Sequence, residues 1–365
     1  PIALGILSQI GVIAEGDLDK YLVIGELALD GTLAPIAGVL ATALHAVGSN
    51  LGLICPQACG PEAAWGGDLE ILAPANIINL INHFKGSQVL TQPTPLMSEE
   101  KVTGLNLKDI KGQESAKRVL EIAAAGGHNM MMIGSPGAGK SMLAARLPSI
   151  LPPLEPREAL EVTMIHSIAG KLPDGKLIRT RPFRDPHHSS SLPALVGGGV
   201  KSQPGEISLA HQGVLFLDEL PEFKRSTLES LRQPLETGYV TIARANSHIT
   251  YPSRFQLIAA MNPCKCGYLD DTSRSCGRAP KCALDYQGKI SGPLFDRIDL
   301  HIEVPEVSIS ELTSQGTGET SGEIAKRVLN AREIQKERCK NQNFSLNAYA
   351  DGPFLEEILH LNQDA

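Results

Sequence analysis

The residues Gly134-Ser135-Pro136-Gly137-Ala138-Gly139-Lys140-Ser141 set three glycines ahead of a lysine and a hydroxyl in the spacing of a phosphate loop. Glycines let successive backbone N–H groups turn toward one anionic centre, and a helix starting there adds partial positive charge. Lys140 would then reach the outer phosphates of ATP, and Ser141 would ligate magnesium. The competing reading is a plain glycine turn. Against it, an apolar strand is expected at 129–133 and a helix from 142, which is the context the motif needs. Met130, Met131 and Met132 read as strand core rather than as a cofactor contact.

A second apolar run, 214–217, ends in Asp218-Glu219. Ligands of open α/β sheets bind at the carboxyl ends of the strands, so these carboxylates are placed for ATP hydrolysis. Asp218 would hold the magnesium shell, and Glu219 would orient and deprotonate the attacking water. A third run, 255–261, ends at Asn262, a neutral side chain able to position water or touch the γ-phosphate without neutralising Lys140. A turn asparagine before Pro263 is the bland alternative. Arg297, inside Gly292-Pro293-Leu294-Phe295-Asp296-Arg297-Ile298-Asp299, is either a local salt bridge or an arginine finger for a neighbouring subunit's nucleotide.

Of seven cysteines, four crowd into 264–282: Cys264, Cys266, Cys276 and Cys282. Interleaved Gly267, Gly277 and Pro280 permit tight turns, so the four thiols could wrap one structural zinc; the alternative is four unligated thiols. An odd cysteine count with this clustering points to a reducing compartment and hence the cytoplasm. Cys55, Cys59 and Cys339 read as ordinary thiols. No apolar run reaches the ~18 residues of a membrane span. The first residues lack an initiator Met, a basic leader and a cleavage site, so the chain is expected to start inside a larger protein.

The elements that would position these groups alternate. Helices are expected at 113–125, 142–147 and 226–235, between strands at 129–133, 214–217 and 255–261, a pattern that favours a parallel sheet covered on both faces. Residues 1–85 read as a small mixed α/β unit, with a Pro-containing connector at 92–101. A Ser/Thr/Gly-rich linker at 308–323 leads into a charged helix at 324–340, the start of a lid.

The chain carries 33 Lys plus Arg against 40 Asp plus Glu, and this net acidity does not argue against DNA, because affinity follows local potential. Between 171 and 184 lie five basic residues, Lys171, Lys176, Arg179, Arg181 and Arg184, against the single acid Asp174. Copies converging on a ring pore would contact DNA phosphates without reading bases; a solvated surface loop is the alternative. A β-hairpin is expected over 239–244 and 248–251, with Arg244 and His248 as further candidate DNA contacts. With aromatics at only 4% of residues, base stacking cannot be the main grip.

Phosphate loop, acidic strand, Asn262 and Arg297, in this order, resemble an AAA+ ATPase. Four phrases narrow the resemblance: residues 121–129 (EIAAAGGHN), 181–188 (RPFRDPHH), 204–211 (PGEISLAH) and 260–264 (AMNPC). Together they resemble the magnesium-chelatase-like family called ComM or YifB, over nearly the whole chain and most specifically between Asp109 and Val304. The resemblance implies an α/β fold with an AAA+ P-loop NTPase parallel sheet core over 97–305. It also implies a partial Lon-protease/S5-like α/β domain and linker over 1–96, and a linker and the start of a helical lid over 306–365. It implies a ring-forming ATPase, hexameric, driving DNA branch migration during integration of transforming DNA. The family's phosphate-loop lysine and magnesium ligand fall on Lys140 and Ser141, its Walker B pair on Asp218 and Glu219, its first sensor on Asn262 and its arginine finger on Arg297. Two departures stand out. Leu40 occupies the position of the Lon-type lysine, with the nucleophilic serine at or before Pro1, so proteolysis is not expected. The chain also stops before the family's usual second-sensor arginine. Two readings without DNA remain open: a chelatase-type remodelling subunit and a protein-remodelling partner of a protease.

Overall fold

The computed structural model of the chain describes residues 1–97, 104–199, 202–244, 247–269, 278–308, 311, 313, 318–350 and 352–358. Its contacts divide into two compact units, Pro1–Glu100 with Leu154–Thr180, and Lys101–Pro153 with Arg181–Ala365.

The first unit is built on three short parallel strands, Tyr21–Val23, Gly52–Ile54 and Ile71–Leu72, hydrogen-bonded in that order. The helix Val39–Gly48 buries Val39, Leu40, Ala43 and Ala46, apolar residues recurring at helical spacing. Leu40 is fully buried, and its backbone N–H donates to the Glu62 carboxylate at 2.9 Å. Ser167, on the helix Pro156–Ile168, donates to the same carboxylate, so this buried acid has two donors from distant segments. Segment 154–180 packs with this unit, although the sequence places it inside the expected 97–305 domain. The apolar side chains Leu154, Ala159 and Val162 cluster with Leu177 and Ile178 of the same segment.

The second unit contains α1 (Glu114–Gly126), β1 (Met130–Ile133), α2 (Lys140–Arg146), β2 (Phe183–Arg184), β3 (Val214–Leu217), β4 (Gln256–Met261), β5 (Leu300–Glu303) and α3 (Ser321–Arg338). The five strands form one parallel sheet in the order β5-β1-β4-β3-β2. Strand side chains alternate between faces. Met130, Met132, Val214, Phe216, Ile258 and Ala260 join Leu120 and Leu143 in one core. Met131, Leu215, Leu217, Leu257 and Ala259, on the opposite face, are buried as well. Both faces are therefore covered, as the apolar runs require.

The charged helix α3 begins at a capping box in which Thr320 and Glu323 satisfy each other's backbone N–H groups. Ile324 and Val328 enter the core, while Arg327 pairs with Glu121 of α1, and Arg332 and Gln335 donate to the carbonyls of Ala124 and Ala125. These bonds cap α1 carbonyls that have no partner within their own helix.

Three local differences from the sequence reading have physical causes. The helix expected at 226–235 is two helices, Arg225–Glu229 and Arg232–Thr237. Pro234 has no N–H to donate four residues back, so it is accommodated in the first turn of a new helix. Strand β2 is two residues long and offers no periodicity to read. Strand β5, Leu-His-Ile-Glu, is an edge strand whose exposed polar positions interrupt the apolar pattern.

Candidate nucleotide-binding site

Four strands of the sheet core lead at their carboxyl ends into the candidate site: β1 runs into Gly134 of the loop, β2 into Asp185, β3 into Asp218 and β4 into Asn262. At the end of β1, the chain must pass close to the segment after β5. A Cβ placed on Gly134 would lie 2.2 Å from the Val304 carbonyl oxygen, and only glycine fits. Gly137 and Gly139 hold φ of 82° and 92°, the left-handed region that favours glycine, and α2 starts directly after Gly139. Gly134→Ala is therefore expected to destabilise the chain by roughly 1–3 kcal/mol through overpacking. Gly292→Ala, where an added Cβ meets nothing within 4 Å, is expected to be near neutral in the same urea titration.

Lys140 is 7% exposed. Its ammonium donates to the carbonyls of Gly134 at 2.7 Å and Ser135 at 2.9 Å, and to Asn262 Oδ1 at 3.2 Å. Burial pulls its pKa below the usual lysine value, and the nearby Asp218 and Glu219 oppose that shift. Ser141 donates to Asp218 Oδ2 at 2.6 Å, and Asp218 Oδ1 accepts from the Glu219 N–H at 2.9 Å. Glu219 has φ of 52°, a left-handed backbone that costs a non-glycine residue on the order of 1–2 kcal/mol. Its carboxylate lies 3.2 Å from His188 Nδ1, four residues beyond β2. Asp185, closer to the end of β2, has its carboxyl pKa raised by burial and then by Asp218, with His187 opposing.

A cavity of about 1050 Å³ opens beside the loop, lined by Gln113, Ser135, Tyr268, Ile302 and Val304 among others. Gln113 bridges its rim by donating to the carbonyls of Ala138 and Pro305. The donor set fits a nucleoside triphosphate with magnesium. A glycine-rich loop at a helix start and a buried ammonium suit phosphates, a hydroxyl beside a carboxylate suits a hard divalent cation, and the cavity has room for a nucleoside.

The structure thus brings together the expected loop 134–141, Asp218, Glu219 and Asn262. Arg297 stands apart from them, its guanidinium paired with Glu236 beside a separate cavity of about 410 Å³ lined by Arg254, Phe255, Asp299 and Tyr349. Sequence reasoning gave no role to Asp185, His188 or Gln113. Asp-Pro-His-His following a strand was the available signal, but a two-residue strand hid it. Cys264, Cys266 and Cys282 converge, with their sulfurs all within 4.8 Å of one another; Cys276 lies outside the described residues.

The five basic residues of 171–184 do not share one excursion. Lys171, Lys176 and Arg179 belong to the first unit, where Lys176 lies 3.3 Å from Asp174. Arg181 and Arg184 belong to the second, with Arg181 donating to the carbonyls of Pro152 and Gln212 and Arg184 paired with Glu206. The hairpin spans Tyr239–Arg244 and Ser247–Pro252 in antiparallel register, with Arg244 opposite Ser247 and His248 exposed.

A parallel sheet ordered β5-β1-β4-β3-β2, with a phosphate loop after β1 and an acidic pair after β3, defines a P-loop NTPase core of the AAA+ class. Residues 106–312 match the model of the family described as magnesium chelatase, subunit ChlI, and residues 1–59 match that of subunit ChlI of Mg-chelatase. The chain is 42% identical to competence protein ComM of Haemophilus influenzae, covering 99% of this chain and 71% of the relative. It is 41% identical to YifB of Escherichia coli K12, covering 100% of this chain and 71% of the relative. A magnesium-chelatase 38 kDa subunit of Rhodobacter capsulatus is 26% identical over 42% of this chain and 49% of its own length. The chain belongs to the magnesium-chelatase-like AAA+ family that includes ComM and YifB. Among the described residues, no helix is long and apolar enough to cross a membrane.

Proposed function

We propose that this chain is the ATP-hydrolysing part of a ring motor that acts on DNA as a branch-migration helicase in transformation or recombination. The observation that carries the ATPase half is the cluster in which Lys140 meets Asn262, Ser141 meets Asp218 and Glu219 meets His188. Backbone amides and Lys140 would hold the phosphates, Ser141 and Asp218 would hold magnesium, and Glu219 would take a proton from water while Asn262 orients it. Magnesium, when bound, neutralises charge on the phosphate oxygens. The DNA half is supported by the similarity to a competence protein and by the exposed hairpin residue His248. Lys171, Lys176, Arg179, Arg181, Arg184 and Arg244 complete the proposed contacts, with Arg181 and Arg184 already committed to partners inside the second unit. We place the protein in the cytoplasm on the strength of its cysteine content, with residues 1–96, 97–305 and 306–365 as domain, motor and start of lid. The assembly proposed is a homohexamer, with zinc as a structural ion on the thiols.

The magnesium-chelatase family match favours one other reading, a chelatase-type or protein-remodelling subunit that never touches DNA. ATPase rate with and without forked DNA separates the two. Stimulation of several-fold, lost as salt rises, is expected of the motor; a rate indifferent to DNA at every salt concentration contradicts it.

Arg297 is proposed as the finger reaching a neighbour's γ-phosphate, which requires its pair with Glu236 to open. Arg297→Ala is expected to lower kcat on the order of 10³-fold with nucleotide affinity little changed. Mixing it with Lys140→Ala should restore part of the activity, because one variant supplies the finger and the other the phosphate loop. Mixed protein no more active than its parts would remove the trans role.

A further inference from the structure

The thiols Cys264, Cys266 and Cys282 come from two segments, the turn after β4 and the helix Lys281–Gln287. Cys264 is fully buried and the other two are half-buried. The Cys264 and Cys266 sulfurs are 2.9 Å apart, and no described cysteine forms a disulfide. Among the described residues the group contains no carboxylate or imidazole, and its three thiols are soft donors. Thiolates select zinc-class cations over magnesium, and zinc–sulfur bonds of about 2.3 Å put sulfurs of a tetrahedral site just under 4 Å apart, so the Cys264 and Cys266 sulfurs, now 2.9 Å apart, would open by roughly 1 Å around the ion.

The placement of the cluster gives it a consequence. Two residues before Cys264, Asn262 accepts from Lys140. One residue after Cys266, Gly267 (φ 86°) presses on the phosphate loop, where a Cβ would lie 2.6 Å from Pro136. Gln287, in the helix of Cys282, donates to the Pro263 carbonyl at 2.9 Å. Pro263, Gly267, Tyr268 and Gln287 all line the cavity beside the loop. The thiols therefore tie together two segments that form one wall of the nucleotide cavity.

We propose that Cys264, Cys266 and Cys282 bind one zinc-class cation, and that this ion braces the turn 262–267 against the phosphate loop, so that metal occupancy sets nucleotide affinity. The coupling rests on the nucleotide reading of the loop; the metal site does not. Coupling between sites is reciprocal and typically spans about 5–150-fold, so a nucleotide should tighten zinc by the factor by which zinc tightens the nucleotide.

The test uses the full chain purified without chelator in reducing buffer. Elemental analysis is expected to find about one zinc per chain, and cobalt chloride added to the stripped protein should give the charge-transfer absorption of thiolate ligation. Cys282→Ser, with the half-buried Cys266→Ser as a second variant and thermal melts to check folding, should lose the metal. Each should bind a non-hydrolysable ATP analogue roughly tenfold more weakly. Protein that takes up no metal from zinc chloride, or that proves to hold a Cys264–Cys266 disulfide, overturns the site. Folded variants that lose zinc yet bind the analogue as tightly as the native chain overturn the coupling. A chain that holds zinc and binds no nucleotide at all defeats the nucleotide reading and the coupling with it, while leaving the thiol site standing.

Discussion

Glu219→Gln is expected to bind ATP and magnesium as tightly as the native chain and to hydrolyse it on the order of 10²–10⁴-fold more slowly, the usual contribution of a positioned general base. The separation follows from which atoms do what. The groups placed for the phosphates are the loop amides and Lys140, and those placed for the cation are Ser141 and Asp218, bonded to each other at 2.6 Å. Glu219 belongs to neither set. Its backbone turns left-handed at φ 52°, and its carboxylate rests 3.2 Å from His188. Glutamine keeps the shape and one acceptor oxygen but cannot take a proton from water. Single-turnover phosphate release beside equilibrium binding of a fluorescent ATP analogue reads the two effects apart. A variant that loses binding and turnover together would show that Glu219 holds the nucleotide rather than activating water.

Lys140→Ala should instead lose both. The ammonium is buried against the carbonyls of Gly134 and Ser135 and the amide oxygen of Asn262, the position from which it would turn to the β- and γ-phosphates. Hydrogen bonds to charged groups contribute about 1.5–3 kcal/mol each, so losing one or two of them weakens ATP binding on the order of 10²-fold or more, and hydrolysis further. Burial pulls the lysine pKa down, Asp218 and Glu219 oppose that shift, and bound phosphates would favour the charged form further. Titration calorimetry with the ATP analogue checks the loss of affinity. Affinity within threefold of the native value would mean that the loop does not use its lysine.

Much of this site is legible in the sequence, because its signals are contiguous. A phosphate loop carries its own strand and helix flanks, and Asp218, Glu219 and Asn262 each follow an apolar run long enough to read as buried. The illegible parts depend on contacts between distant segments. His188 meets Glu219 only because β2 pairs with β3, and two residues of strand leave no period to detect. The pairing of Arg297 with Glu236 joins residues 61 apart that no local pattern connects. Segment 154–180 packs with the first unit through contacts between distant residues, such as Ser167 donating to Glu62, that no local pattern announces, so the basic residues 171–184 read as one loop when they are two groups. The split at Pro234 is legible in the residue itself, which cannot donate within a helix interior.

The most direct measurement is steady-state phosphate release by the full-length chain from ATP in magnesium buffer, beside the same reaction in EDTA. Turnover that requires magnesium and disappears in both Lys140→Ala and Glu219→Gln is the expected result. Protein that is folded by thermal melt, yet neither retains adenine nucleotide nor releases phosphate with magnesium present, would contradict the assignment of the 134–141 loop.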